Sequence, residues 1–230
     1  MQAGVFSLSW DNIDPRILEC QKLVFQAIGL PVNQHRVDGF RHWDWIEWVM
    51  RYHLDIDVFV FIDADAVPKS RYAIDRAIDS AMRGRIFGCA QAANHLEVNR
   101  EHVYAGPFFM SLARSTWQRL GEPSFAPAHD RDVAQGVTLA AQAQGCEVEL
   151  WQPSEVELPR WRLGNSGLCF GIGSTYNDQI YHLFESRGGQ HLERFVRACE
   201  RIVGAHAAAT CGAGLGVEVA AEAAGAEAVL

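Results

Sequence analysis

Val58-Phe59-Val60-Phe61-Ile62-Asp63-Ala64-Asp65-Ala66-Val67-Pro68 is the stretch on which the fold turns. Its first five residues are β-branched, aromatic or both kinds in alternation, with no polar break. A strand covered on one face alternates apolar and polar side chains. A continuous apolar run needs cover on both faces, as in a parallel sheet between two helical layers. Two carboxylates, Asp63 and Asp65, follow at once. Asp and Pro are common turn residues after strands, but in open α/β sheets ligands bind just beyond the carboxyl ends of the strands. The two aspartates are therefore expected at a binding crevice.

The neighbouring segments support this placement. Gly4 to Ser9 alternates as a strand. Asp14 suits a helix N-cap and Pro15 the first helical position; Ile17, Leu18, Val24, Ala27 and Ile28 keep helical spacing until Gly29 closes the helix. Pro31 to Val37 reads as a short strand. His42 to His53 reads as an amphipathic helix offering Trp45, Ile46, Val49 and Met50 to a core. Beyond Pro68, helices are expected over Tyr72–Arg83, Arg131–Gln144 and His191–Val203. Strands are expected over Ile86–Ala90, Pro107–Leu112 and Glu147–Leu150. Alternation of this kind predicts an α/β fold with a mainly parallel central sheet and helices on both faces, in one domain over residues 1–203. Residues 204–230 are Ala, Gly and Glu with few large apolar side chains, and a flexible tail is expected there.

The chain has 230 residues, 49% of them hydrophobic and 21% charged, which is ordinary globular composition. The net charge of −8 gives no footprint for a nucleic-acid backbone or an anionic lipid surface. Six cysteines are scattered without a CxxC pair, so zinc ribbons and redox motifs are not expected. No basic leader or long apolar run suggests a signal peptide or membrane span. These features lead to the expectation of a soluble, cytoplasmic protein with no direct membrane insertion.

Two carboxylates leaving one strand can converge on a hard divalent cation. Mg²⁺ and Mn²⁺ take oxygen ligands and keep positions open for a diphosphate. Such a cation neutralises charge on a leaving phosphate.

With these residues in place, the segment from Asp55 to Pro68 resembles the DxD segment of GT-A glycosyltransferases, in the nucleotide-diphospho-sugar transferase superfamily, with His42–His53 standing where that family places the preceding helix. Tyr104-Ala105-Gly106-Pro107-Phe108-Phe109-Met110-Ser111 resembles the family's small-residue turn beside the sugar. His129-Asp130-Arg131-Asp132-Val133-Ala134-Gln135 resembles the acidic helix start that faces the reacting centre. Tyr181-His182-Leu183-Phe184-Glu185-Ser186-Arg187 resembles the late segment that supplies a further metal ligand. The likeness covers roughly residues 1 to 203.

The resemblance implies a metal-dependent glycosyltransferase. It would move a sugar from a nucleoside-diphosphate donor, a UDP-sugar first among them, to a hydroxyl on a glycan or small-molecule acceptor. Asp63, Asp65 and His182 would hold Mn²⁺ or Mg²⁺. Arg187 would grip the diphosphate. Ser9, Trp10 and Asn12 lie where the nucleoside would sit, and Ala64, Gly106 and Pro107 would line the donor. Asp132 would be the catalytic carboxylate, as a base in an inverting enzyme or a charge stabiliser in a retaining one.

Blander readings apply to other residues. His42, His53, His95, His102 and His129 read as structural or surface histidines, and Trp43, Trp45 and Trp48 as core or flank packing. Gly171-Ile172-Gly173 resembles half of a phosphate loop but lacks a following GK[ST].

Three rivals remain. Asp63-Ala64-Asp65-Ala66-Val67 also fits the DxDx[TV] opening of haloacid-dehalogenase-like phosphatases, in which the first Asp is the nucleophile. Gly173 to Asp178 faintly resembles that family's later acidic motif. Against this reading, no lysine lies between Lys69 and Asp178, and two strand–helix units precede the strand. A nucleotidyltransferase would carry a Gly-rich, basic loop where Ser7-Leu8-Ser9-Trp10-Asp11-Asn12 stands. A non-catalytic GT-A domain would bind without turnover.

Overall fold

The computed structural model describes residues 1–94, 98–187, 189 and 191–222, with side chains in the last helix described to residue 209. The strands are β1 (Ala3–Ser9), β2 (Asn33–Arg36), β3 (Val58–Asp63), β4 (Ala66–Pro68), β5 (Ile86–Ala92), β6 (Val103–Ala113), β7 (Val148–Trp151), β8 (Pro153–Arg162), β9 (Cys169–Tyr176) and β10 (Ile180–His182). The helices are α1 (Pro15–Ala27), α2 (His42–Tyr52), α3 (Arg71–Met82), α4 (Arg114–Arg119), α5 (Gln135–Ala143) and α6 (Leu192–Glu222).

Six strands form the central sheet in the order β2-β1-β3-β6-β5-β7. Strand β1 runs parallel to β2 and β3, and β7 runs parallel to β5, while β6 lies antiparallel between β3 and β5. The fold is thus α/β with a mainly parallel central sheet and helices on both faces. Strand β3 shows why its sequence has no polar break. Phe59 and Phe61 pack with Phe6 and with Trp45, Ile46, Val49 and Met50 of α2. Val60 and Ile62 point the other way, into a core with Val24 and Phe25 of α1 and Ile74 and Ala77 of α3. Burying one such side chain stabilises the fold by roughly 1.5–3 kcal/mol, so both faces contribute.

A second sheet, order β4-β10-β9-β8, is wholly antiparallel and was not anticipated. Two of its strands, β4 at one edge and β10 beside it, have three residues each, too few for a periodicity to be read. Gly171-Ile172-Gly173 lies inside β9 with all three residues buried, and forms no phosphate loop. Two helix limits also differ. Helix α5 starts at Gln135 because Ala128 and Arg131 form an isolated bridge and Ala134 adopts a left-handed conformation (φ 64°). Helix α6 continues past Val203 to Glu222; alanine's high helix propensity carries the backbone where large apolar residues are missing. No helix among the described residues is long and apolar enough to cross a membrane.

Candidate functional site

The sheet's geometry places several chain segments at one edge. Strand β1 ends at Ser9 and β3 at Asp63, in register through the Leu8–Asp63 pair. The chain leaves β1 toward β2 on one side, and later returns as β3 on the other. Ligands in open α/β sheets bind at such a reversal of strand order. A cavity of about 560 Å³ opens there, lined by Leu8, Trp10, Ile13, His42, Asp63–Asp65, Gln91, Asn94, Pro107, Phe108, Asp132, Val133, His182 and Phe184–Arg187.

Asp63, Asp65 and His182 each offer one ligand atom to a group in which all the atoms lie within 4.8 Å of one another. Strand β4 begins directly after the aspartates and pairs with β10, so that His182 stands opposite Ala66 and the Leu183 amide donates to the Asp65 carbonyl at 2.9 Å. This short ladder joins residues far apart in sequence. The His182 ring stacks on Phe108 (centroids 4.2 Å apart) and lies 3.7 Å from the Phe184 ring, which holds its plane. Its Nε2 is 3.3 Å from Asp65 Oδ1, and its Nδ1 is buried with no hydrogen-bond partner.

The electrostatics suit the binding of a positive charge. Burial, and then the charge of Asp65, push the Asp63 carboxyl up to about 7. Burial also acts to raise Asp65, but the charge and hydrogen bond of His182 and the Ser186 hydroxyl outweigh it and hold Asp65 below the usual carboxylate range. Two crowded carboxylates beside an orphaned imidazole nitrogen form a donor set suited to a divalent cation. The His42 imidazole is pushed down to about 4, by burial first and then by the charge of Arg187.

Asp132 is buried and lines the same cavity. Tyr104 donates its hydroxyl to Asp132 Oδ2 at 3.0 Å, and the Val133 amide donates to Oδ1 at 2.7 Å. Burial, with the Asp132 charge beside it, pushes the Tyr104 hydroxyl far up, so it stays protonated and donates. The Asp132 amide itself donates to Gln135 Oε1 at 2.8 Å.

Ala64 and Pro107 line the cavity directly. Gly106 sits behind its wall, where an added Cβ would meet Gln91 Oε1 and the Phe108 ring at 2.6 Å. Arg187 carries its guanidinium 4.6 Å from the centroid of the Trp10 ring. These two residues also line a second cavity of about 290 Å³, with Asp11, Asn12, Val37, Asp38 and Gly39. Ser9 lies outside both linings; its hydroxyl donates to the His35 carbonyl at 3.4 Å.

Of the residues read as structural, His42 proves to belong to the cavity, with Nε2 3.3 Å from Asp63 Oδ1. His53 stacks beneath His35, His102 bonds Gln135 and Gln142, and His129 is exposed. His95 lies outside the described residues. Trp45 is core, Trp43 packs partly against it, and Trp48 is exposed at the flank. Gln91, Asn94 and Ser186 also face the site without having been singled out. Ser186 had a signal, in that it lies within the quoted late segment; Gln91 and Asn94 had none.

No protein-family model and no curated protein matches the chain. Among solved structures it is similar to a mutant Drosophila β1,4-galactosyltransferase 7 in complex with manganese, UDP-Gal and xylobiose, at 11% identity over 84% of this chain and 74% of that one, TM-score 0.47. It is similar to the A197 protein from STIV, at 11% identity over 66% and 82%, TM-score 0.43. A putative glucose-1-phosphate thymidylyltransferase from Bacillus anthracis gives 7% identity over 86% and 95%, TM-score 0.43. At this level of similarity, the functional reading stands on the site's own geometry.

Proposed function

We propose that this chain is a metal-dependent glycosyltransferase of the GT-A kind, moving a sugar from a nucleoside diphosphate to a hydroxyl on a glycan or small-molecule acceptor. One observation carries the reading. Asp63, Asp65 and His182 converge within 4.8 Å at the carboxyl ends of the central strands, in a cavity that also takes in Arg187 and Asp132.

Asp63, Asp65 and His182 would hold Mn²⁺ or Mg²⁺, and the bound cation supplies charge neutralisation at the leaving diphosphate. Arg187, whose Cζ lies 4.6 Å from the Trp10 ring centroid, adds a planar fork of donors suited to phosphate oxygens. The nucleoside, a uridine first among candidates, extends from Trp10 toward Asn12 in the second cavity, with Ser9 shaping the backbone beneath. The sugar lies against Ala64 and Pro107, where Gly106 leaves room for Phe108 and Gln91. Asp132, fixed by Tyr104 and the Val133 amide, faces the reacting centre. There it takes the acceptor hydroxyl's proton, or stabilises the sugar's developing positive charge. The cytoplasm is the proposed location.

The test is thermal stability with UDP, GDP and simple phosphate esters, each with and without Mn²⁺, on the wild type and Asp65→Ala. A ligand that binds only the native state raises its melting temperature. The expected result is a rise with one nucleoside diphosphate that requires Mn²⁺ and disappears in Asp65→Ala. No rise with any nucleotide, together with turnover of a phosphate ester, would replace this reading with a phosphatase using Asp63 as nucleophile.

A further inference from the structure

Asp63 and Asp65 each face one imidazole. Asp65 Oδ1 lies 3.3 Å from His182 Nε2, and Asp63 Oδ1 lies 3.3 Å from His42 Nε2. The two histidines are not equivalent. His182 belongs to the compact group of candidate ligands, whereas His42 stands outside it. His42 Nε2 is buried without a hydrogen-bond partner and faces Asp63. A buried nitrogen left without a partner destabilises a fold, so its place beside a carboxylate calls for an explanation.

The ring is also held. His42 is the first residue of α2, with the Trp10 ring edge-on at 6.0 Å and the Trp45 ring at 6.3 Å. Trp45 is itself buried and anchored by its indole N–H donating to His35 Nδ1 at 3.1 Å. The imidazole therefore has little freedom to turn from Asp63.

We infer that His42 is a positioning residue of the cation site: its Nε2, 3.3 Å from Asp63 Oδ1 and without a hydrogen bond in the metal-free protein, takes that oxygen as its acceptor when a cation binds, fixes the carboxylate's rotation and leaves the other oxygen to the cation. The inference rests on the proposed cation site and adds to it a residue that acts only through Asp63. Partners of this kind, which orient a ligating carboxylate, typically change metal affinity by about 10- to 100-fold when removed.

The experiment is Mn²⁺ titration of the full chain without nucleotide, read by the electron paramagnetic resonance of free Mn²⁺, for wild type, His42→Leu and His42→Gln. Melting temperatures of the metal-free proteins are measured alongside. His42→Leu is expected to weaken Mn²⁺ binding about 10- to 100-fold without lowering the metal-free melting temperature. His42→Gln, which keeps an N–H donor, is expected to recover most of the affinity. Should His42→Leu fail to fold, His42→Phe keeps a ring between the tryptophans and serves in its place. Wild-type affinity in the apolar variant, or an affinity in His42→Gln as low as in the apolar variant, overturns the positioning role. A wild type that binds no Mn²⁺ overturns both this role and the cation site. A wild type that binds Mn²⁺ but transfers no sugar sinks the glycosyltransferase reading alone.

Discussion

The two sides of the proposed cation site rest on different foundations. The aspartate side is the end of β3, whose Val58–Ile62 are at most 1% exposed and which pairs with β1 on one edge and β6 on the other. The histidine side hangs on β4 and β10, three residues each, backed by the β8–β9 hairpin with its largely exposed outer strand. Opening free energies vary across a structure, from near zero at exposed segments to the global value in the core. Chemistry on the aspartate side should therefore be removable without cost to the fold. On the histidine side, chemistry and fold should be lost together.

The largest expected effect separates these two cases. Asp63→Asn keeps the shape but removes one of two crowded carboxylates. Mn²⁺ affinity should fall at least about a hundredfold, the upper end of what outer partners cost, while the metal-free melting temperature holds or rises. His182→Ala should lose Mn²⁺ equally, but it also empties the space between Phe108 and Phe184 and should cost about 2–3 kcal/mol of stability in urea unfolding. Equal stability of the two variants would break the distinction.

A smaller effect sharpens it. An added Cβ at Gly171 would meet the Leu158 carbonyl oxygen at 2.2 Å, backbone that cannot simply turn aside. At Gly88 in the central sheet it would meet Ala105 Cβ at 2.8 Å. Either alanine should destabilise by about 1–3 kcal/mol. Only Gly171→Ala disturbs the strand that carries β10 and His182, so it alone should weaken Mn²⁺ binding at temperatures where both variants are folded. The reverse pattern would mean that the second sheet does not set the histidine's position.

The same contrast explains what could be read without coordinates. Strand β3, α1 and α2 were legible because their cores repeat over five or more residues, and because Asp14, Pro15 and Gly29 punctuate α1. Asp63 and Asp65 came with them, since a carboxylate at the end of a buried strand has one place to go. Strands β4 and β10 are too short to show a period, and β8 carries an irregular burial pattern with a bulge near Pro159. The likeness of the late segment to a known family pointed to His182; no local pattern did. His42 stayed hidden for another reason. It opens an amphipathic helix whose tryptophans signal packing, and only the tertiary approach of α2 to the end of β3 turns its ring onto Asp63.

The smallest effect lies at the edge of the aspartate side, in the aromatic cluster under α2. His35 accepts from the Trp45 indole at Nδ1 and stacks on His53 at 5.7 Å. Burial, and then the charge of His53, push the His35 imidazole down from its ordinary value of 6.5. The sign follows from proton counting. The unfolded chain binds a proton at His35 more readily than the folded one, so His35's contribution to stability rises with pH across this window. His35's share is fully present above about 6.5 and is lost as pH falls toward its lowered folded value. His42, held down to about 4, acts in the same direction, while Asp63, raised to about 7, acts in the opposite one, so His35's share is read as the difference between variant and wild type. His35→Gln keeps an oxygen to accept from Trp45. On going from pH 6.5 to 5 its urea-unfolding free energy should gain on the wild type's by a few tenths of a kcal/mol, about what a half-exposed group retains after solvent screening. A pH dependence identical to the wild type's would remove His35 from the acid response. The aspartate side's resistance to acid would then be set by His42 and the carboxylates.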